Sequence, residues 1–171
     1  GVEIHKGRAN ANVLMGRLLG VLSDKLPFVL VTLEGGSRET AIAASASAVI
    51  GVAGDDVDAA VQTVSDYGGV LAREYATAEP GLKVSAKAMG PDTADALDAG
   101  STSLVTRLLL SLPDGVQAMS VDMPGLVQTS LNFGILQLRD TELYCANTVR
   151  SSMTSQKQWI LDKVSAVVAL S

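Results

Sequence analysis

Arg150 ends the run Thr148-Val149-Arg150-Ser151-Ser152. A guanidinium closing an otherwise apolar strand can offer its planar fork to a carboxylate. The competing role is an exposed strand-end cation, and spacing alone does not choose between them. Asn132 stands between Leu131 and Phe133, on the opposite face of the same run. An amide so placed normally pairs with backbone or with another side chain. His5 is the single histidine and lies beside Lys6 and Arg8. It is either a ligand or acid–base group or, the commoner fate of a lone histidine at a turn, a satisfied structural side chain. Cys145 is the single cysteine, so no internal disulfide forms. A nucleophilic thiol needs a base beside it, and zinc needs three or four Cys, His or carboxylate ligands. One Cys and one His supply neither, and Cys145 reads as a small buried hydrophobe. Gly35-Gly36 lacks the Gly-Lys-Ser/Thr ending of a phosphate loop and reads as a turn needing positive φ.

The elements that position these residues follow from pattern. Asn10 caps a helix whose Ala11, Leu14, Leu18, Val21 and Leu22 share one face, with Pro27 at its exit. Residues 28–36 are rich in β-branched residues and end at the double glycine, and residues 41–52 alternate with period two, so both read as strands. A second helix starts at Asp55 or Asp56, and residues 81–89 follow as a strand. A third helix carries Leu104, Leu108 and Leu112 as its stripe, with Ser101 or Thr102 capping a late segment. Residues 115–123 form a short strand or loop. Two strands around Leu131 and Cys145 turn at Arg139-Asp140-Thr141. A last helix presents Trp159, Ile160, Val164, Val167 and Val168. With Val2–His5 as a first strand, the order becomes β-α-β-β-α-β and then α-β-β-β-α. The expectation is an α+β two-layer sandwich: a ferredoxin-like βαββαβ unit followed by an approximate second copy, with antiparallel strands and helices packed on one face. The subdomain halves would be about 1–90 and 91–171. Both ends are expected to fall beside missing pieces, as in a domain excised from a larger body.

Composition narrows the partners. Of 171 residues 47 % are apolar, enough for a sizeable core. The net charge is −5 and aromatics are 4 %, which disfavours a nucleic-acid surface. No apolar run approaches the roughly 20 residues of a membrane span, and no signal peptide is visible. No membrane partner is expected, and the expected location is cytoplasmic.

The stretches Gly1–Leu19, Leu33–Ile50, Val127–Leu136 and Val149–Gln156 together resemble the aminoacylhistidine (Xaa-His) dipeptidases, carnosinase-like members of a di-zinc metallopeptidase superfamily. The resemblance covers nearly the whole chain and points to one part of those enzymes, the lid or dimerisation domain. It implies two zinc ions in a separate catalytic domain, and no metal ligand or catalytic residue here. It also implies that Gly1 ends a Gly-Gly-His-Ser-Gly phrase whose histidine stabilises the oxyanion. By the same resemblance Arg150 grips the free carboxylate of a dipeptide. Thr40-Ala41-Ile42-Ala43 stands where the family has Asn-Ala-Ile-Pro, so Thr40 takes the place of a carboxylate-binding asparagine. A hydroxyl donates one hydrogen bond where an amide donates two. The substrate-binding candidates are Arg150, Thr40 and Asn132. The expected partners are the parent catalytic domain, a dipeptide and a second copy of the chain. The parent is expected to be a zinc metallo-dipeptidase and the isolated 171 residues inert. The competing function is a stand-alone protein-interaction or amino-acid-sensing module.

Overall fold

The computed structural model describes residues 3–171; the expectations for Gly1 and Val2 lie outside them. Asn10 caps α1 (Ala11–Lys25), its Oδ1 accepting the Asn12 N–H at 3.0 Å. β1 (Val29–Gly35) and β2 (Ala46–Gly51) pair antiparallel. A 3-10 turn at Gly54–Asp56 leads into α2 (Val57–Glu74). An irregular stretch then reaches α3 (Ala99–Ser111), whose cap is Asp98, accepting from the Ser101 N–H at 2.7 Å. β3 (Gly115–Met119), β4 (Val127–Arg139) and β5 (Glu142–Ser151) follow, and then α4 (Thr154–Leu170).

β4 is the axis of the sheet that these strands form. β5 lines one of its edges from Thr129 to Arg139. The other edge is shared: β3 takes Val127 to Leu131, and β1 takes only Leu136 and Gln137. β2 lies outside β1. The core joins Leu19 and Leu22 of α1, Val64 of α2, Val105 and Leu109 of α3, and Leu30, Leu33, Phe133 and Leu136 of the sheet. Burying each such large side chain stabilises the fold by about 1.5–3 kcal/mol. Thr32, Glu34 and Ser47 are exposed, so this part of the sheet keeps an open face. Arg17 ties α1 to α2 by a bidentate pair with Glu74 (2.8 and 2.7 Å) and a bond to the Tyr67 hydroxyl (3.0 Å).

The shared edge leaves buried backbone between Leu131 and Leu136 that neither β3 nor β1 reaches. Side chains fill that gap. Asp114 Oδ1 accepts the Phe133 N–H at 2.7 Å, and the Phe133 carbonyl accepts from Asn10 Nδ2 (3.0 Å) and Asn12 Nδ2 (3.2 Å). Buried peptide groups require such partners. The two asparagines at the start of α1 thus complete a strand edge.

The α+β class with an antiparallel sheet is as expected, but several elements differ. Ile4–Lys6 is a 3-10 turn, not a strand. Residues 81–89 form no strand: they open on Gly81 between Pro80 and Gly90-Pro91, Lys83, Ser85 and Lys87 are exposed, and Val84 packs instead against Gly68 of α2. Without these two strands the first half is not a βαββαβ unit and has no copy in the second, and strands from both sides of residue 90 share one sheet. β2 starts only at Ala46, because residues 36–45 form a loop. Asp56 precedes α2 without a side-chain cap. The inner stripe of α3 is Thr102, Val105, Thr106 and Leu109, leaving Leu104 exposed. The reason is Thr102, whose Oγ1 accepts the Leu30 N–H at 3.0 Å and turns that face to the sheet. On α4 only Ile160 is buried; Trp159 is exposed, with Lys163 Nζ 5.4 Å from its ring centre.

Candidate ligand-binding cleft

Alternation along β5 decides where Arg150 points: Leu143 and Cys145 pack on the core, so Tyr144, Thr148 and Arg150 face away from it, and one residue of β4 decides what Arg150 meets there. Counted from the turn, Arg139 pairs with Glu142 and Leu136 with Cys145. Continued unbroken, that register would set Arg150 against Leu131. Gly134 is an extra residue, skipped between the pairs Phe133–Asn147 and Ile135–Ala146. This bulge moves the register by one and pairs Arg150 with Ser130. Arg150, Ser130, Asn132 and Thr148 therefore share the face away from Phe133 and the helices.

The loop 36–45 lies on that face. Asn132 Nδ2 donates to the carbonyls of Glu39 (3.0 Å) and Ala41 (2.9 Å), and Thr148 Oγ1 donates to Glu39 O at 2.9 Å. The Tyr144 hydroxyl reaches Glu39 Oε1 at 3.4 Å, and the Gly36 N–H closes the loop base on Ser45 O at 3.0 Å. Two glycines make the approach possible. Gly36 has φ 73°, in the left-handed region, and a Cβ on it would collide with Gly134 O. A Cβ on Gly134 would collide in turn with Glu39 O. The double glycine and the Asn132–Gly134 run, far apart in sequence, are one structural unit.

The three candidate residues are thereby placed. Asn132 is buried, and its amide N–H groups hold the two carbonyls that flank Thr40; its Oδ1 has no hydrogen-bond partner among the described residues. Thr40 is exposed and lines a groove of ≈ 830 Å³ between α1, this loop and residues 79–85. An ion pair from Arg8 Nε to Glu79 Oε1 (3.1 Å) involves two residues of that groove's wall. Arg150 is exposed and lines a separate cleft of ≈ 380 Å³ with Ile4, His5, Ser130, Ser151 and Ser152. Arg150 and Thr40 do not meet in one cavity. Sequence reasoning missed Ser130 and the filling of the β4 edge by Asn10, Asn12 and Asp114. Cys145 packs half-buried against the core, and burial pushes its thiol up to about 11, away from nucleophilic use.

In chemical terms the smaller cleft offers a guanidinium fork, an imidazole and hydroxyls, a set of donors that suits a small anion. Among the described residues no three His, Cys, Asp or Glu side chains gather closely enough to hold a metal ion, so they do not fit a zinc centre. Among the same residues no helix is long and apolar enough to cross a membrane.

An α+β domain of this topology is matched over almost its whole length by parts of two dipeptidases. The cytosol non-specific dipeptidase of Escherichia coli (strain K12) is 34 % identical to it over 167 residues, which are 98 % of this chain and 34 % of that protein. The crystal structure of aminoacylhistidine dipeptidase from Vibrio alginolyticus matches it with a TM-score of 0.93 at 26 % identity, over 98 % of this chain and 34 % of that one. The chain is homologous to these dipeptidases and spans about a third of their length. No protein-family model matches it.

Proposed function

We propose that residues 1–171 are the lid, or dimerisation, domain of a zinc-dependent dipeptidase acting on Xaa-His-type dipeptides, with its two halves meeting near residue 90. In this reading two zinc ions and their ligands belong to a catalytic domain elsewhere in the parent protein. The lid grips substrate and hydrolyses nothing alone, and the parent works in the cytoplasm. The observation that carries the reading is the placement of Arg150: exposed, in a cleft beside Ser130, which the Gly134 bulge brings opposite it. A planar cation there suits the free carboxylate of a dipeptide. Asn132 serves the same reading by fixing the loop that carries Thr40.

In the full-length protein, Arg150→Ala is expected to raise KM for dipeptides with a free carboxylate roughly ten- to hundredfold, the worth of a charge-assisted bond of about 1.5–3 kcal/mol, with kcat little changed. Dipeptide amides should be nearly indifferent to the substitution. Equal damage to both substrates would remove Arg150 from the carboxylate.

Self-association has an observation of its own. β2 ends the sheet order, and its outer edge has no strand partner among the described residues. Open edges accept further strands. On this reading light scattering of the chain gives a mass that climbs from 17.6 kDa toward twice that value with concentration. A mass that stays at the monomer value removes the dimer.

A further inference from the structure

We propose that His5 is the second jaw of the Arg150 cleft, donating an imidazole N–H to the carboxylate that the guanidinium holds; the proposal rests on the carboxylate reading above. His5 and Arg150 reach this cleft from different parts of the chain. His5 stands on the 3-10 turn Ile4–Lys6, which rests against β3 and β4, and Arg150 comes from β5. The turn is built to hold that position. Its backbone closes through Lys6 N–H to Glu3 O at 2.9 Å, and Gly7 ends it at φ 68°. Lys6 Nζ holds Glu3 Oε1 at 2.8 Å, and Glu3 lines the larger groove instead. The carboxylate at the turn is thus kept out of the Arg150 cleft.

The lining is selective in charge. The chain carries a net −5, yet among the described residues no Asp or Glu lines the cleft. Its walls offer Arg150, His5, the Gln128 amide and the hydroxyls of Ser130, Ser151 and Ser152. A carboxylate has about four acceptor positions, and a guanidinium fork occupies two of them. The others need donors from another direction, and an imidazole keeps an N–H in either protonation state. His5 is exposed, so replacing it leaves the core untouched.

Because His5 is the single histidine, its imidazole gives one unambiguous NMR signal in the 171-residue chain. Glycyl-alanine is titrated in at fixed pH, with its C-terminal amide as the control. The expected result is that the imidazole signal and the backbone amides of Ser130 and Arg150 shift together with the free dipeptide and stay still with the amide. His5→Phe should weaken the binding five- to tenfold, and His5→Gln, which keeps a donor, should weaken it less. If the backbone amides shift while the imidazole does not, and His5→Phe binds as well as the parent chain, His5 has no part in a carboxylate site that still stands. If neither the imidazole nor the backbone moves, the cleft takes no carboxylate and both readings fall.

Discussion

Gly134→Ala is expected to destabilise the chain by about 3 kcal/mol or more, lowering Tm by roughly 6–12 °C, although it adds a single methyl group. The methyl would run into Glu39 O and lie 2.6 Å from Glu39 C and 2.7 Å from Arg38 O. All three are backbone atoms, so no rotamer change relieves the contact. Glu39 O also accepts from Asn132 Nδ2 and Thr148 Oγ1. Pushing that carbonyl away leaves the Asn132 amide, which is buried, short of a partner, and such groups are expensive to strand. The loss should be local before it is global. In hydrogen exchange, the Gly36 N–H that donates to Ser45 O should lose protection first, while the Leu30 and Phe133 amides keep theirs until the whole domain opens. A Gly134→Ala chain as stable as the parent, with the loop still protected, would mean that the loop does not rest on β4.

The same glycine marks the limit of what pattern can tell. The Asn10 cap and the hairpin turn at Asp140 are local consequences of residue type at fixed spacing. Each is legible from a few neighbouring letters. Which residue of β4 Arg150 meets is not. It depends on one skipped residue sixteen positions earlier, and nothing in the alternation of β5 reports a bulge in β4. Asn132 misleads for a related reason. A polar residue on a strand face announces a partner without naming it, and the partner is a loop some ninety residues away. The stretch 81–89 fails differently. Its alternation is real, yet Val84 finds its neighbour on a helix, at Gly68, and pairing with a strand is a long-range matter that alternation does not report. The 3-10 turn at Ile4–Lys6 outcompetes a strand because Gly7 at positive φ turns the chain back at once. Spacing leaves the role of Arg150 open, since the residue type alone fits an exposed cation equally well, and its reading as a carboxylate grip comes from the family resemblance and is a proposal.

Asp114 joins the β4 edge to the start of α1, so its removal is expected to be felt at both. Its Oδ1 accepts the Phe133 N–H at 2.7 Å and Asn10 Nδ2 at 3.2 Å. Asp114→Ala strands the Phe133 N–H in the gap between β3 and β1 and loosens the asparagine that caps α1, for an expected loss of about 3 kcal/mol. Asp114→Asn keeps the Oδ1 acceptor and removes the charge. The distinction is set by burial, which raises the Asp114 carboxyl above its ordinary range and outweighs the Phe133 N–H and Asn10 bonds that pull it down. A carboxyl raised in the folded state binds its proton more tightly there than in the unfolded chain. Its contribution to stability is therefore full below the unfolded value of about 3.9 and is lost as pH rises through the folded one. The asparagine variant has no such loss. Urea melts of the two chains from pH 3.5 to 7 should show the variant gaining on the parent as pH rises, since the other carboxylates contribute alike to both. Protonation can settle on Oδ2 and leave Oδ1 accepting, so the parent keeps its two bonds at the acid end. A difference between the two chains that stays constant across the range would mean that Asp114 is solvated like any surface carboxylate, and that the gap in β4 is closed by Asn10 and Asn12 alone.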